Sequence, residues 1–483
     1  MILTGASYSL NSPLCAALDA GEIRRDRAVA ELASWALWLL CTLVVVFGSG
    51  AVVSLLFVDI YNPGVDVPAA RYAWLPVYGL AVALLALRLS HGVRLATYSP
   101  FIIVCVFIAG VSFLWSYDPA LTLRRSVALA LTTTMGLALA SWLSWARLIQ
   151  AVAVAFLLLA LLSFAVALAD PLRGIMSEIF PGAWRGPFMQ KNELGGMMTK
   201  GLIAALGALA IRPRRWWLWV PTGLLCLALV LLSTSKTALL ISCGSLALFG
   251  WMYAYRGLAV LRPVLVFALI GGAGGLGLAV ALFPAEVLGL IGKDPTFTGR
   301  TDIWREMAIA IQERPWFGYG YGAFWDDELG PSYNARTALE WPVPSAHNGW
   351  VETLLGGGAL LLGAFAAHCL FVLGALVASL RRGGRECYWV VLSTVAFFGF
   401  SMSESAVLQQ NDLTWILFVA ATTKLLAGER APHPKARRGA ARERAYAAQH
   451  IPQLRPALPD FAMPELATVI PPPFRSPGRV SVG

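Results

Sequence analysis

The sequence is poor in charged residues: only 13% are Asp, Glu, Lys or Arg, whereas 58% are hydrophobic. An average soluble domain has about 25% charged residues. A soluble chain of 483 residues would therefore lack the polar side chains needed to cover its surface. This composition excludes most soluble enzymes and indicates an integral membrane protein. The apolar runs are long and continuous rather than short and alternating, which argues against a β-barrel.

The sequence also lacks the motifs of common cofactor and metal sites. Its seven cysteines contain no CxxC pair, and none lies in a long polar loop, which argues against disulfides and a structural zinc site. There is no P-loop GxxxxGKS or GxxxxGKT, no Rossmann GxGxxG after a strand, and no HExxH. Asp59 and Asp66 have the side chains for a cation site, but their spacing is unremarkable. We therefore expect no metal and no cofactor.

Long apolar runs predict an all-α membrane protein with about twelve transmembrane helices, since each crossing needs about 20 mostly apolar residues. The first run is too long for a signal peptide and has no cleavage site made of small residues, so we expect it to be retained. The predicted spans lie near residues 34–57, 73–89, 99–116, 126–143, 148–168, 193–211, 216–233, 237–255, 261–283, 349–378, 388–403 and 412–427.

The basic residues predict the orientation of these helices. With the N-terminus inside, the inner segments contain about two thirds of the 37 Lys and Arg, and most acidic residues fall outside. The net charge of +10 therefore reflects membrane topology rather than nucleic-acid binding. Both termini are predicted to be cytoplasmic. The chain divides into an N-terminal tail (1–32), nine spans (33–283), a large outer loop (284–348), three spans (349–427) and a basic, Pro-rich disordered tail (428–483) that lies near anionic lipids.

The outer loop is the first candidate for function, because loops of this length are usually functional or disordered. Thr301 is predicted to cap a short helix that has Asp302 in its first turn and ends before Pro315. We interpret Arg305 as an i, i+3 partner of Asp302. Glycines then alternate with aromatic residues over 316–325, a composition that suits sugar stacking and the headgroup belt equally well. The predicted apolar face of the helix consists of Ile303, Met307 and Ile311.

His347 is the histidine predicted to face outward. The other four fall in an inner loop, inside a span and in the C-terminal tail. A neutral imidazole is the usual general base for a hydroxyl nucleophile. From the residues alone, a histidine held by backbone at a helix start is the slightly favoured alternative.

Several cations accompany His347 on the predicted outer face: Arg125, Arg185, Lys191 and Lys236. A lysine between two apolar spans is costly unless it has an anionic partner. A lipid-borne diphosphate would supply that partner at Lys236. Snorkelling of the lysine to bulk water is the equally weighted alternative.

Three segments resemble the large periplasmic loop of the O-antigen ligase and polysaccharide polymerase family, most closely its exopolysaccharide polymerase branch. They are residues 299–304 (GRTDIW), 314–320 (RPWFGYG) and 346–350 (AHNGW). The resemblance covers about residues 99 to 420. Weaker matches follow in the same order: Trp115-Ser116 to Arg125, Lys191-Asn192, Ser235-Lys236 and Ser403-Glu404.

The resemblance implies an inner-membrane enzyme similar to metal-independent GT-C glycosyltransferases, which takes a glycan from undecaprenyl diphosphate in the periplasm. It implies that His347 activates the acceptor hydroxyl and that Arg300 binds the donor diphosphate, with Lys236, Arg185, Lys191 and Arg125 as further cations. Many ligases have an arginine at the position of Lys236, which favours the exopolysaccharide branch here. The implied accessory residues are Asp302, Asn348, Glu404 and Tyr319.

The predicted function is therefore polymerisation of a bacterial surface polysaccharide, by glycan transfer to another lipid-linked repeat unit. One alternative is a ligase that transfers the glycan to lipid A core. A second is a transporter or flippase of lipid-linked sugars, which is disfavoured because the ionisable residues concentrate on the outer face rather than at the membrane midplane. The expected partners are an undecaprenyl-diphosphate-linked oligosaccharide, membrane lipids and a chain-length co-polymerase, with no nucleic acid.

Overall fold

The computed structural model describes residues 13–58, 68–177, 180–262, 264, 300–325, 330–340 and 343–428, all within one compact unit. In these ranges the chain forms helices and short loops, and its only β pairing is an isolated antiparallel bridge between Ile175 and Trp184. The prediction of an all-α membrane protein is confirmed. The C-terminal tail and the predicted ninth span, apart from its first residues, lie outside the described ranges.

The described α-helices are numbered here in chain order. The first nine are α1 (Pro13–Gly48), α2 (Ala51–Phe57), α3 (Pro68–Tyr72), α4 (Leu75–Leu87), α5 (Leu89–Thr97), α6 (Pro100–Val111), α7 (Pro119–Trp142), α8 (Trp145–Ala169) and α9 (Pro171–Gly174). The remaining ones are α10 (Lys191–Ile211), α11 (Trp216–Leu232), α12 (Lys236–Gly257), α13 (Arg300–Glu313), α14 (Tyr333–Leu339), α15 (Gly349–Arg382), α16 (Cys387–Ser401) and α17 (Leu413–Leu426).

Most of the long helices in the described ranges correspond to predicted spans, but their ends differ in several places. The first predicted span, 34–57, is divided between α1 and α2, and α1 already begins at Pro13. Helix α7 begins at Pro119 rather than near residue 126, because Asp118 accepts a hydrogen bond from the Leu121 N–H at 2.9 Å and proline suits the first turn. Arg125 therefore lies inside a helix rather than in a loop. Helix α5 forms where an inner loop was expected, and it ends before Pro100.

The number of spans stays a prediction. Seven described helices are long and apolar enough to cross a membrane. An eighth candidate is formed by α5 and α6, which together are bent by 94°. Helices α16 and α17 are apolar but shorter than a usual span.

Buried apolar side chains, both aliphatic and aromatic, pack the long helices together. One buried cluster joins α8, α10, α11 and α16, and a second joins α6, α15, α16 and α17. In the second cluster the rings of Phe397 and Phe418 stack at 4.0 Å between centroids. The outer ends of α15, α16 and α17 are thereby held together, and these ends carry the candidate site.

The outer loop packs on top of α15 through a third cluster, which includes Ile303, Met307 and Leu355. Helix α15 is kinked at Gly358 (φ +62°), and the Ala359 N–H beside the kink donates to the Pro315 carbonyl at 2.8 Å. A side chain at residue 358 would collide with the backbone of Trp316. Glycine at this position therefore allows the loop to reach the helix.

Helix α13 confirms most of the predicted loop helix. It ends at Glu313, shortly before Pro315. Asp302 and Arg305 form the expected exposed pair, with 3.3 Å between the carboxylate and the guanidinium. One detail was wrong: helix α13 already includes Arg300, so Thr301 lies within the helix rather than at its cap. The predicted apolar face is confirmed, because Ile303 and Met307 are buried and Ile311 packs against them.

Candidate active site

His347, Arg300 and Glu404 meet where helix α15 begins and helix α16 ends. Arg300 Nη2 lies 3.6 Å from Glu404 Oε1, and His347 Nδ1 lies 3.8 Å from Glu404 Oε2. The three side chains are between 17% and 38% exposed, so a substrate can reach them. One carboxylate thus joins the two residues that the sequence placed at the centre of the chemistry. Glu404 itself was expected only as an accessory residue.

His347 adopts a backbone conformation that is uncommon for a residue other than glycine. Its φ is +48°, in the left-handed region. Strain of this kind costs about 1–3 kcal/mol and is often found at functional sites. The next residue, Asn348, begins α15: its side-chain oxygen accepts from the Trp350 N–H at 3.0 Å and the Val351 N–H at 3.3 Å. Asn348 is therefore the N-cap that fixes the chain immediately after His347.

A close contact at Gly349 explains why His347 lies beside Glu404. A Cβ atom at Gly349 would lie 2.8 Å from the Val407 side chain and 3.0 Å from the Val407 backbone nitrogen. Only glycine allows the first turn of α15 to approach the segment 402–412 this closely. That segment carries Glu404, whose N–H donates to the Phe400 carbonyl at 2.7 Å.

Two lysines begin neighbouring helices. Lys191 begins α10, where its ammonium lies 3.2 Å from Thr234 Oγ1 and 3.7 Å from the centre of the Phe180 ring. Lys236 begins α12, shortly after α11 ends, and its side chain is exposed. Thr234, which Lys191 contacts, lies two residues before Lys236. Both lysines stand at helix N-termini, where backbone N–H groups also favour anions.

Glu193 adds a carboxylate to the helix that Lys191 begins. It lies in the first turn of α10, two residues after Lys191, and its Oε2 accepts from the Met189 N–H at 3.1 Å. Helix α10 packs against α16, the helix that precedes Glu404. Glu193 was not predicted as a site residue, although it follows directly on the Lys191-Asn192 motif.

The other two predicted donor cations make local contacts. The Arg185 guanidinium is buried and donates to the carbonyls of Arg173 at 2.7 Å and Leu172 at 3.2 Å. Arg125 donates to the Gly322 carbonyl. The structure thus shows both arginines stabilising loops. Neither one shares a described hydrogen bond or ion pair with His347, Arg300 or Glu404.

The aromatic and glycine segment serves mainly to pack the loop. Tyr319 is buried, and its hydroxyl lies within hydrogen-bonding distance of two acceptors, the Ala310 carbonyl at 2.9 Å and Glu313 Oε2 at 2.8 Å. Burial and the neighbouring Glu313 carboxylate raise the pKa of Tyr319. Trp316 and Phe317 are exposed instead. Of the residues expected as accessory, Tyr319 and Asp302 therefore belong to the support of the loop rather than to the His347 cluster.

Among the described residues, no three His, Cys, Asp or Glu side chains lie together as a set of metal ligands would. The predicted candidates Asp59 and Asp66 lie outside the described ranges.

Comparison with known proteins supports the family resemblance. Residues 221–366 match the model of the O-antigen ligase family. The chain carries an O-antigen ligase domain. It is 28% identical over 337 residues to the exopolysaccharide production protein ExoQ of Rhizobium meliloti (strain 1021), an alignment that covers 65% of this chain and 73% of that protein. It is also 26% identical over 198 residues to a general O-oligosaccharyltransferase of Acinetobacter baylyi, covering 38% of this chain and 34% of that protein.

The O-antigen ligase domain contains Lys236, Arg300 and His347, whereas Lys191 and Glu404 lie outside the matched residues. The site therefore combines the domain with the helix before it and the segment after it. The family resemblance inferred from the loop motifs is confirmed. The homologues that the chain resembles are membrane enzymes of the glycosyltransferase and ligase type.

Proposed function

We propose that this protein polymerises a bacterial surface polysaccharide of the exopolysaccharide or O-antigen type. It transfers glycan from undecaprenyl diphosphate to an acceptor hydroxyl of another lipid-linked repeat unit. The observation that carries the proposal is the arrangement of His347 and Arg300 around Glu404. The similarity to an exopolysaccharide production protein over 73% of its length supports the choice of a polymerase.

His347 acts as the general base. Its Nδ1 faces Glu404, so Nε2 on the opposite side of the ring takes the proton of the acceptor hydroxyl. Glu404 orients the ring and stabilises the imidazolium that forms. The hydroxyl oxygen bonds to the anomeric carbon while the bond from that carbon to the diphosphate oxygen breaks. The electron pair leaves with the diphosphate, and this single displacement inverts the anomeric configuration.

The cations act on the leaving group. A lipid diphosphate is already activated, so no nucleotide is required, and fixed positive charges stabilise the charge that develops as it departs. Arg300 has five N–H donors, of which its contact with Glu404 uses few. The others are available to phosphate oxygens. Lys191 and Lys236 supply the remaining positive charge at the same outer level.

The proposed location is the bacterial inner membrane, with the site facing the periplasm and both termini in the cytoplasm. The distribution of charge along α10 supports this orientation, because Lys191 begins it at the site and Arg212, Arg214 and Arg215 follow its other end. A chain-length co-polymerase is the proposed protein partner.

A ligase that transfers glycan to lipid A core is the second candidate, because the matching family model is described as O-antigen ligase. The two candidates share the donor and differ in the acceptor.

Purified protein in lipid nanodiscs tests the proposal. Supplied with undecaprenyl-diphosphate repeat units alone, it is expected to produce a ladder of longer lipid-linked glycans and to release undecaprenyl diphosphate. Transfer that occurs only after lipid A core is added would identify a ligase. Movement of the repeat unit across vesicles without any new glycosidic bond would identify a transporter and overturn the proposal.

Replacement of Lys236 tests whether its charge serves the donor. Lys236→Arg is expected to keep appreciable activity, whereas Lys236→Gln should lose about 10- to 100-fold in turnover, because one charge-assisted contact of about 1.5–3 kcal/mol is lost. Polymer yield at matched protein level measures both variants. A Gln variant with full activity would show that the lysine merely reaches the aqueous headgroup region.

A further inference from the structure

Glu352 is an ionisable residue near the site that the proposed chemistry does not use. It lies one turn into α15, four residues after the cap residue Asn348. Its Oε1 accepts from the Ala346 N–H at 2.6 Å and from Ser405 Oγ at 3.4 Å. The Trp325 Nε1–H lies 3.1 Å from both carboxylate oxygens. These three donors come from three different segments of the chain.

We propose that Glu352 is a positioning residue that sets the geometry between His347 and Glu404. The inference rests on the proposed function, since it assumes that this pair performs the proton transfer. The hydrogen bonds described for Glu352 go to Ala346, Ser405 and Trp325 rather than to either member of the pair. It acts through the residue before His347 and through the residue after Glu404.

The first arm of this arrangement holds His347. The Ala346 N–H is bound by Glu352, and the Ala346 carbonyl accepts from the Trp304 Nε1–H at 2.9 Å. The peptide groups on both sides of Ala346 are thus fixed, while Asn348 is fixed as the cap of α15. His347 is held between them at a positive φ that it would otherwise leave. The bond from Glu352 is the shortest of these contacts.

The second arm holds Glu404. Ser405 is its immediate neighbour, and the Ser405 hydroxyl donates to the same Oε1 atom that binds the Ala346 N–H. One oxygen atom therefore links the two segments of the chain that carry His347, the base, and Glu404, its carboxylate partner. Trp325, at the end of the aromatic segment 316–325, donates its Nε1–H to the same carboxylate. The separation of 3.8 Å between His347 and Glu404 is a consequence of these shared bonds.

The chemistry of the side chain explains why a carboxylate is needed here. All three contacts are donors, and an ionised carboxylate is acceptor-only. An amide of the same shape would place an NH₂ group against at least one of them and would remove the charge that strengthens each bond. A displacement of about 1 Å at a reacting group is enough to cost about 100-fold in rate. Glu352→Gln is thus expected to disturb the site without removing volume from the core.

The test is Glu352→Gln in the full chain, purified in nanodiscs and assayed with lipid-diphosphate repeat units. We expect turnover per folded protein to fall about 10- to 100-fold, while KM for the donor stays within about threefold, because the cations that bind the diphosphate are not held by Glu352. Ser405→Ala is expected to lower turnover in the native background and to have little further effect on the Gln variant, since both act through one contact network.

Glu386→Gln is the matched control. Glu386 is also a buried carboxylate at the start of a membrane helix, but it lies at the opposite end of α16 from Glu404. The Glu386→Gln variant should leave turnover unchanged.

A Glu352→Gln variant with native turnover, or one whose loss is entirely explained by less folded protein, would overturn the inference. His347→Ala, assayed in parallel, separates the two proposals. If His347→Ala is fully active as well, the proposed function fails. If His347→Ala is inactive while Glu352→Gln is active, only the positioning role of Glu352 is contradicted.

Discussion

His347→Ala is expected to abolish polymer formation in cells while the protein still inserts into the membrane. General base catalysis contributes about 10²–10⁴-fold to rate, and the variant loses all of it. Glu404, the carboxylate that contacts the ring, does not replace the imidazole, because it lies on the Nδ1 side, away from the proposed acceptor. The measurement is polymer yield per unit of membrane-inserted protein, followed by turnover of the purified variant.

The control for this variant is His91→Ala. His91 lies on α5, far along the chain from the outer loop. Its Nδ1 atom lies 2.8 Å from Arg94 Nη2. It should retain full activity. Donor binding by His347→Ala should stay close to native, because the imidazole acts on the acceptor. Normal polymer from His347→Ala at native protein level would remove this residue from the mechanism.

The sequence predicted the helices better than it predicted the site. Apolar periodicity and proline positions locate α10, α13 and α15 to within a few residues, because these signals are local. His347 and Arg300 were also identified, since the loop motifs single them out. The central role of Glu404 was not predicted. Its position beside His347 depends on the contact between Gly349 and Val407, which are more than 50 residues apart in the chain.

The sequence also fails to show which charged residues belong to the site. Arg185 and Lys191 lie six residues apart in one motif and look alike as candidate cations. The structure separates them: the Arg185 guanidinium is taken up by two nearby carbonyls, whereas Lys191 lies near Lys236 at the outer helix ends. Sequence spacing does not reveal which way a long side chain turns. Glu352 was missed for a related reason, since nothing in the sequence shows that three donors converge on it.

Arg300→Ala is expected to reduce turnover about 10²- to 10³-fold, the usual cost of removing one preorganised donor from a developing negative charge. The loss should appear in kcat/KM for the donor. Arg300→Lys should recover only part of it, because lysine keeps the charge but lacks the planar pair of N–H donors that matches phosphate.

Arg305→Ala is the matched control for Arg300, because Arg305 lies on the same helix and makes only an exposed pair with Asp302, worth a few tenths of a kcal/mol. It should be fully active. The structure also predicts a second effect of losing Arg300: Glu404 loses a neighbouring cation, while its contact with His347 remains. The two effects separate in a double variant. If Arg300 serves only to hold Glu404, Arg300→Ala adds nothing to Glu404→Gln. If Arg300 binds the diphosphate, the double variant loses further in kcat/KM for the donor, and only that result supports its proposed role.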